Sequence, residues 1–128
     1  MSETIYYNPD CEKMPREDIE QLQIERLQST LNRVYRNVAF YQKAIDANGV
    51  NLEKIKDVGA LRELPFTTRE NLQKSYPYDM FAVPLRNIVR IHSTFGATAK
   101  PVVVGYTRDD LRNWTECTAR LLVAAGLT

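Results

Sequence analysis

Arg-Ile-His-Ser-Thr-Phe-Gly-Ala-Thr-Ala-Lys-Pro, residues 90–101, places hydroxyl groups, small residues and one lysine between two segments rich in β-branched residues. Residues 88–92 and 102–106 are therefore predicted to be strands joined by a short loop. Backbone N–H groups, hydroxyls and a lysine ammonium are groups that bind a polyphosphate. The loop also fits a polar hairpin connection in which Ser93, Thr94 and Thr98 bond to the local backbone. The residues alone leave both interpretations open.

The loop is not a P-loop. A P-loop has the spacing GxxxxGK[ST] and leads into a helix, whereas here Gly96 and Lys100 are four residues apart and a strand follows. His92 is either an acid–base group or a strand residue, and no carboxylate or nucleophile lies near it in the sequence. The pattern therefore indicates a candidate anion-binding loop and does not assign a reaction to it.

Helices are predicted before the hairpin. Pro15 suits the first position of a helix, and an apolar stripe then recurs at helical spacing. The stripe consists of Ile19, Leu22, Leu27, Leu31, Val34, Tyr35 and Val38, with Ile24 outside it. This Ile19–Val38 face either packs on the rest of the domain or forms a dimer or partner surface. A second helix is predicted over residues 40–47, and Asn48-Gly49 is a left-handed stop.

Capping signals predict the remaining helices. Asp57 is expected to cap a short turn that runs through Leu61. Thr67 and Glu70 have the capping-box spacing and predict a helix over residues 68–75. Thr107 and Asp110 have the same spacing and predict a helix to about residue 125, with Gly126 as its C-cap.

Composition limits the classes of function. The chain has 128 residues, 44% of them hydrophobic, and its 17 Lys+Arg nearly balance its 16 Asp+Glu. This balance predicts neither a nucleic-acid nor a membrane partner. Cys11, Cys117 and His92 give no metal or disulfide spacing. No secretory signal is visible, and the apolar run Leu121 to Ala125 is too short to span a bilayer, so a soluble cytoplasmic protein is expected.

The whole chain resembles the N-terminal part of the phenylacetate–CoA ligases, which belong to the adenylate-forming acyl-CoA synthetase superfamily. The matching pieces are, in order, Met14-Pro15-Arg16-Glu17, Gln23-Ile24-Glu25-Arg26-Leu27, Val34-Tyr35, Asn37-Val38-Ala39-Phe40-Tyr41, Leu64-Pro65-Phe66-Thr67-Thr68, Tyr76-Pro77-Tyr78, Phe81-Ala82-Val83-Pro84, Arg90-Ile91-His92, Val103-Val104-Gly105-Tyr106-Thr107, Trp114, Ala119-Arg120 and Ala124-Ala125-Gly126. The resemblance implies a two-step reaction. ATP and an aryl acetate give an acyl-adenylate and diphosphate, and coenzyme A then displaces AMP, with Mg²⁺ accompanying the nucleotide.

The family's phosphate loop reads Ser-Ser-Gly-Thr-Thr-Gly-Lys-Pro. By this resemblance Thr94 stands at the first Ser, Gly96 at the first Gly and Thr98 at the second Thr. Lys100 and Pro101 match outright. These positions imply an ATP phosphate site at Thr94, Gly96, Thr98 and Lys100, and the resemblance supplies neither a catalytic nor a metal-binding residue within this chain.

Three positions depart from that loop. Phe95 and Ala97 each replace a hydroxyl residue, and Ala99 replaces the second Gly. Each lost charge-assisted hydrogen bond costs about 1.5–3 kcal/mol of phosphate binding. A Cβ where a glycine needs positive φ costs about 1 kcal/mol more. We therefore expect this chain to bind ATP weakly, and the same expectation covers Mg²⁺ and coenzyme A.

The resemblance and the predicted elements together imply an α/β fold that is the incomplete front part of an adenylate-forming domain. Residues 1–128 form this portion, with helices over 15–75, a strand–loop–strand unit over 88–106 and a helix over 107–125. We expect a truncated ligase without turnover of its own. The alternative is a stand-alone, non-catalytic module that docks onto an intact ligase. The expected partners are a weakly bound nucleotide and either a second copy of the chain or a full-length ligase.

Overall fold

The computed structural model describes residues 5–95 and 100–127 of the chain. These residues form five α-helices, three short 3₁₀ turns and one β-hairpin. The α-helices are α1 (Pro9–Glu12), α2 (Arg16–Asn37), α3 (Ala39–Ala47), α4 (Arg69–Lys74) and α5 (Arg108–Ala124), the strands are β1 (Ile88–Ser93) and β2 (Val103–Thr107), and the 3₁₀ turns are Leu52–Lys54, Val58–Glu63 and Leu85–Asn87. The predicted α/β class is confirmed, with helices followed by a hairpin and a last helix.

The two strands pair in antiparallel fashion, and α5 follows β2 without a linker. Ile88 pairs with Thr107 and Arg90 with Tyr106, so Val89 is an extra residue that makes a bulge in β1. Each strand ends one residue later than predicted. Thr107 accounts for this at the end of β2, because it both pairs with Ile88 and caps α5.

The enclosed core lies between α2, α3 and the turn that follows them. Val38 and Ile55 keep 1% and 0% of their surface exposed, and Leu31 and Ile45 are also buried. The Gln28 side-chain amide donates a hydrogen bond to the Ile55 carbonyl at 3.0 Å, which holds the turn against α2. Packing thus buries Leu31 and Val38 of the Ile19–Val38 face, while the other members of the stripe are only half-buried.

The capping box of α4 lies one residue later than predicted. The N–H of Asn71 donates to the Thr68 hydroxyl at 3.2 Å, and the Asn71 side chain accepts from the N–H of Thr68 at 2.8 Å. Thr67 instead donates its hydroxyl to the Tyr41 hydroxyl at 3.2 Å. The predicted Thr67–Glu70 box is therefore wrong, because asparagine can take the reciprocal role that the pattern assigns to glutamate or glutamine.

The other local signals are confirmed. The side chain of Asp57 accepts from the N–H of Ala60 at 3.0 Å, at the start of Val58–Glu63. Thr107 and Asp110 form a capping box with distances of 3.2 and 2.8 Å. Gly49 and Gly126 take left-handed φ values of 64° and 96° just beyond the ends of α3 and α5.

Within residues 5–95 and 100–127 no helix is both long enough and apolar enough to cross a membrane. In the same part of the chain no group of three or more His, Cys, Asp or Glu side chains is placed to hold a metal ion. Cys11 and Cys117 are exposed free thiols.

Candidate functional site

The predicted phosphate loop lies at the open end of the hairpin, and Thr94 closes the strand ladder there. The N–H of Thr94 donates to the Val102 carbonyl at 3.0 Å, and the Thr94 hydroxyl oxygen accepts from the N–H of Val102, also at 3.0 Å. This hydroxyl oxygen therefore has a structural partner, while the hydroxyl proton is still able to donate to an anion. The local backbone role of Thr94 is therefore observed, and its phosphate-binding role stays a prediction.

Neighbouring loop residues face solvent. The Ser93 hydroxyl donates to the Thr94 carbonyl at 3.3 Å, which is a local contact. The Phe95 ring is fully exposed, and Lys100 is exposed on the other side of the loop. The structure places Thr94, Phe95 and Lys100 at the same end of the hairpin.

The remaining predicted loop positions, Gly96, Ala97, Thr98 and Ala99, lie outside the described residues. The ATP phosphate site at Thr94, Gly96, Thr98 and Lys100 therefore stays a prediction.

His92 belongs to an aromatic cluster on one face of the sheet. Its ring centroid lies 5.0 Å from that of Tyr106 and 6.1 Å from that of Trp114, in edge-to-face arrangements. Tyr106 and Trp114 are 5.6 Å apart. In an edge-to-face pair the positive edge of one ring meets the negative face of the other, which is a favourable contact. These contacts hold α5 against β2. The structure therefore places His92 as an exposed strand residue whose ring contacts two other rings, which sequence reasoning did not connect to it.

An open groove of about 450 Å³ runs beside this cluster. Its lining residues are Val104, Gly105, Tyr106, Asp110, Asn113 and Trp114. The signal that could have found it is the alternation along β2, which puts Val104 and Tyr106 on one face, combined with the position of Trp114 two turns into α5.

A polar cluster ties the N-terminal segment to α5. The Asn8 side-chain amide donates to the Glu116 carboxylate at 2.6 Å, and the Arg120 guanidinium contacts the same oxygen at 2.6 Å. The hydrogen bonds from Arg120 and Asn8 hold the pKa of Glu116 below its ordinary value. The hydrogen bond with Glu116 in turn raises the pKa of Arg120. No sequence signal connects residues so far apart along the chain.

Comparison with characterised proteins finds homologues that align with most of this chain. No family model matches it. Phenylacetate-coenzyme A ligase of Escherichia coli (strain K12) is 44% identical over 110 residues, which are 86% of this chain and 25% of that protein. The Thermus thermophilus enzyme of the same name is 42% identical over 120 residues, 94% of this chain and 27% of the enzyme. The chain is homologous to part of phenylacetate-coenzyme A ligase. It spans about a quarter of the length of these ligases.

Solved structures of a CoA ligase share the fold of this chain. A 2-hydroxyisobutyryl-CoA ligase, in complex with 2-HIB-AMP and CoA in the thioesterification state, superimposes with a TM-score of 0.79 and 25% identity, over 91% of this chain and 26% of that one. The same ligase in the postadenylation state gives a TM-score of 0.78 at 24% identity. The fold is that of one part of an adenylate-forming CoA ligase, as the sequence resemblance predicts.

Proposed function

We propose that this chain supplies the phosphate-loop hairpin of an ATP-dependent acid–CoA ligase of the phenylacetate type. The overall reaction converts ATP, phenylacetate and coenzyme A to phenylacetyl-CoA, AMP and diphosphate. The supporting observation is the 44% identity to a phenylacetate-coenzyme A ligase over 86% of the chain. A CoA ligase that carries an adenylate has the same local fold.

The residues at the loop fit a limited role in that reaction. The ammonium of Lys100 is exposed, and the Thr94 hydroxyl retains a proton, so both can donate to phosphate oxygens. Phe95 and Ala97 offer no side-chain donor where the family has hydroxyls. ATP supplies the activating adenylyl group when bound, and this chain's part is to hold its phosphates at the end of the hairpin.

The 128-residue chain is proposed to have no ligase turnover by itself. Catalysis needs the acid, the nucleotide and the thiol to be held in one preorganised, water-excluding site. The grooves at the hairpin are open to solvent, as the one beside Trp114 illustrates. The aligned residues make up only 25% of the E. coli ligase.

The test is complementation. The chain is mixed with the E. coli ligase from which the matching quarter has been deleted, and AMP formation is measured with ATP, phenylacetate and coenzyme A. We expect no AMP from either part alone and measurable AMP from the mixture. Lys100→Ala should remove at least about 90% of the restored rate, because one charge-assisted phosphate contact is worth about 1.5–3 kcal/mol. Lys74→Ala, an exposed lysine on α4, is the matched control.

Two results would contradict the proposal. Turnover by the chain alone would refute the claim of inactivity. A stable complex of the two parts that forms no AMP would refute the claim that the hairpin supplies a working phosphate loop.

A non-catalytic docking module is the second candidate, and the exposed apolar surface favours it. Val89, Ile91 and Val104 of the hairpin are half-exposed, and Leu121 of α5 keeps 69% of its surface accessible. Exposed apolar side chains of this kind are available for contact with another protein. If the chain co-elutes with the intact, full-length ligase, that result supports docking. If it binds only the ligase that lacks the matching quarter, that result supports complementation.

A further inference from the structure

Five arginines converge on one open groove away from the hairpin loop. The groove has a volume of about 950 Å³ and lies between α2, the 3₁₀ turn Leu85–Asn87 and the first turns of α5. The arginines are Arg26 and Arg33 from α2, Arg86 from the turn, and Arg108 and Arg112 from α5. Arg26 and Arg33 are seven residues apart, so the 3.6-residue period brings them to one face of α2.

Three carboxylates share the groove, and each already has a partner. Asp109 pairs with Arg112 at 3.1 Å. Asp110 is held by the capping box of α5, and Glu25 accepts from the Gln21 amide at 2.7 Å. Among residues 5–95 and 100–127, Arg112 is the only one of the five arginines with a carboxylate within 4.0 Å.

The other groove residues decide what kind of anion it suits. Ser29, Thr30, Asn87 and Asn113 add hydroxyl and amide donors, and the lining described here includes no aromatic side chain. A groove without rings offers no platform for stacking a nucleobase. Guanidinium groups, by contrast, bind phosphate through two parallel N–H donors. The chain as a whole is nearly neutral, so this positive charge is a local feature.

We propose that this arginine groove binds the phosphate groups of a ligand that carries at least two of them. Neither Thr94 nor Lys100 lines the groove. The inference therefore goes beyond the ligase proposal and holds whether or not the hairpin loop binds ATP. Two sources share the required chemistry, a free inorganic polyphosphate and a nucleotide cofactor that carries several phosphates.

Isothermal titration of the 128-residue chain tests the proposal, with inorganic triphosphate, coenzyme A and AMP as separate ligands. We expect triphosphate to bind with a Kd below about 1 mM at moderate salt and AMP to bind at least about tenfold more weakly. The affinity should fall steeply as salt is raised, because the contacts are ionic. Tighter binding of coenzyme A than of triphosphate would identify a nucleotide cofactor as the source, and the reverse order would identify free polyphosphate.

Charge-matched variants separate a built site from general attraction. Arg33→Glu with Arg108→Glu should weaken triphosphate binding at least about tenfold. Arg36→Glu with Arg69→Glu makes the same change in net charge outside the groove and should change the affinity less than about twofold. Arg33→Lys keeps the charge but loses the planar fork, and it should weaken binding several-fold in a chain whose circular dichroism and melting temperature are unchanged.

The proposal is overturned if triphosphate fails to bind the folded chain. It is also overturned if both charge-swapped pairs weaken binding equally. An acidic peptide is titrated as a further ligand, and a chain that binds this peptide but not triphosphate would assign the groove to a protein partner instead. All titrations are repeated in a Lys100→Ala background, which removes the ammonium of the hairpin loop, so that triphosphate bound at the loop is not counted as binding at the groove. A failed complementation assay and a failed titration are therefore independent results.

Discussion

Substituting Gly105 by alanine should destabilise the hairpin through one identifiable clash. Gly105 pairs with Ile91 in the sheet, and the Phe81 ring covers it. A Cβ at this position would lie 2.6 Å and 2.7 Å from two carbons of the Phe81 ring and 3.1 Å from the terminal carbon of Ile88. Carbon atoms are comfortable at about 3.5–4.0 Å, so the ring or the strand must move by about 1 Å.

The loss of stability caused by Gly105→Ala depends on how freely the Phe81 ring can move. Overpacking a well-packed site costs about 1–3 kcal/mol. Phe81 is only half-buried, so the ring can partly swing away, and we expect a loss in the lower half of that range, about 1–2 kcal/mol. Alanine is itself better than glycine in a strand by about 0.5–1 kcal/mol, so the substitution should be neutral or slightly stabilising once the ring is absent.

Urea unfolding of four proteins measures this: the parent chain, Gly105→Ala, Phe81→Ala and the double variant. The expected signature is a coupling energy of at least about 1 kcal/mol between the two positions. Gly49→Ala is the control, because its φ is 64° and nothing lies within 4 Å of the added Cβ. It should cost about 1 kcal/mol from backbone strain, and Phe81→Ala should not relieve that cost. Equal losses for Gly105→Ala in both backgrounds would refute the clash.

Three further predictions concern the core, a cap and one ion pair. Ile55→Ala should lower the free energy of unfolding by about 2–5 kcal/mol, while Val58→Ala on the exposed turn should cost less than about 1 kcal/mol; urea midpoints compare the two. Thr68→Ala should cost about 1 kcal/mol through the lost cap of α4, and thermal melting should show a smaller effect for Thr67→Ala. Glu116→Gln should lower the melting temperature near neutral pH, because the folded chain holds the pKa of Glu116 low. This difference should be complete above the unfolded pKa of about 4.3 and vanish as the pH falls through the lower folded pKa; a difference that persists in acid would contradict it.

Local signals in the sequence predicted those parts of the fold whose partners lie within a few residues. The capping box of Thr107 with Asp110, the cap at Asp57 and the left-handed Gly126 all depend on neighbours along the chain. The misplaced box at α4 is an instructive failure. Thr67 and Thr68 are adjacent hydroxyl residues, and only the path of the backbone decides which of them turns back to the helix.

The contacts that define the candidate sites depend instead on strand register and helix docking. The hydrogen bond from the Val102 N–H to the Thr94 hydroxyl oxygen requires Val102 to lie opposite Thr94. His92 meets Trp114 only because α5 lies across β2. A single sequence carries no signal for such pairings. Resemblance to a family supplied the phosphate-loop hypothesis, but it drew no attention to the arginine groove, whose members come from three separate elements.

The hydrogen bond between Asn8 and Glu116 joins residues 108 positions apart. During synthesis Asn8 leaves the ribosome first, and its partner is made only when α5 is nearly complete. At a translation rate of about 5–20 residues per second, the N-terminal segment waits several seconds without its anchor. The segment around Asn8 therefore docks only after most of α5 has been made. Meanwhile α2 and α3 can already have packed together, because every residue in their contact has emerged.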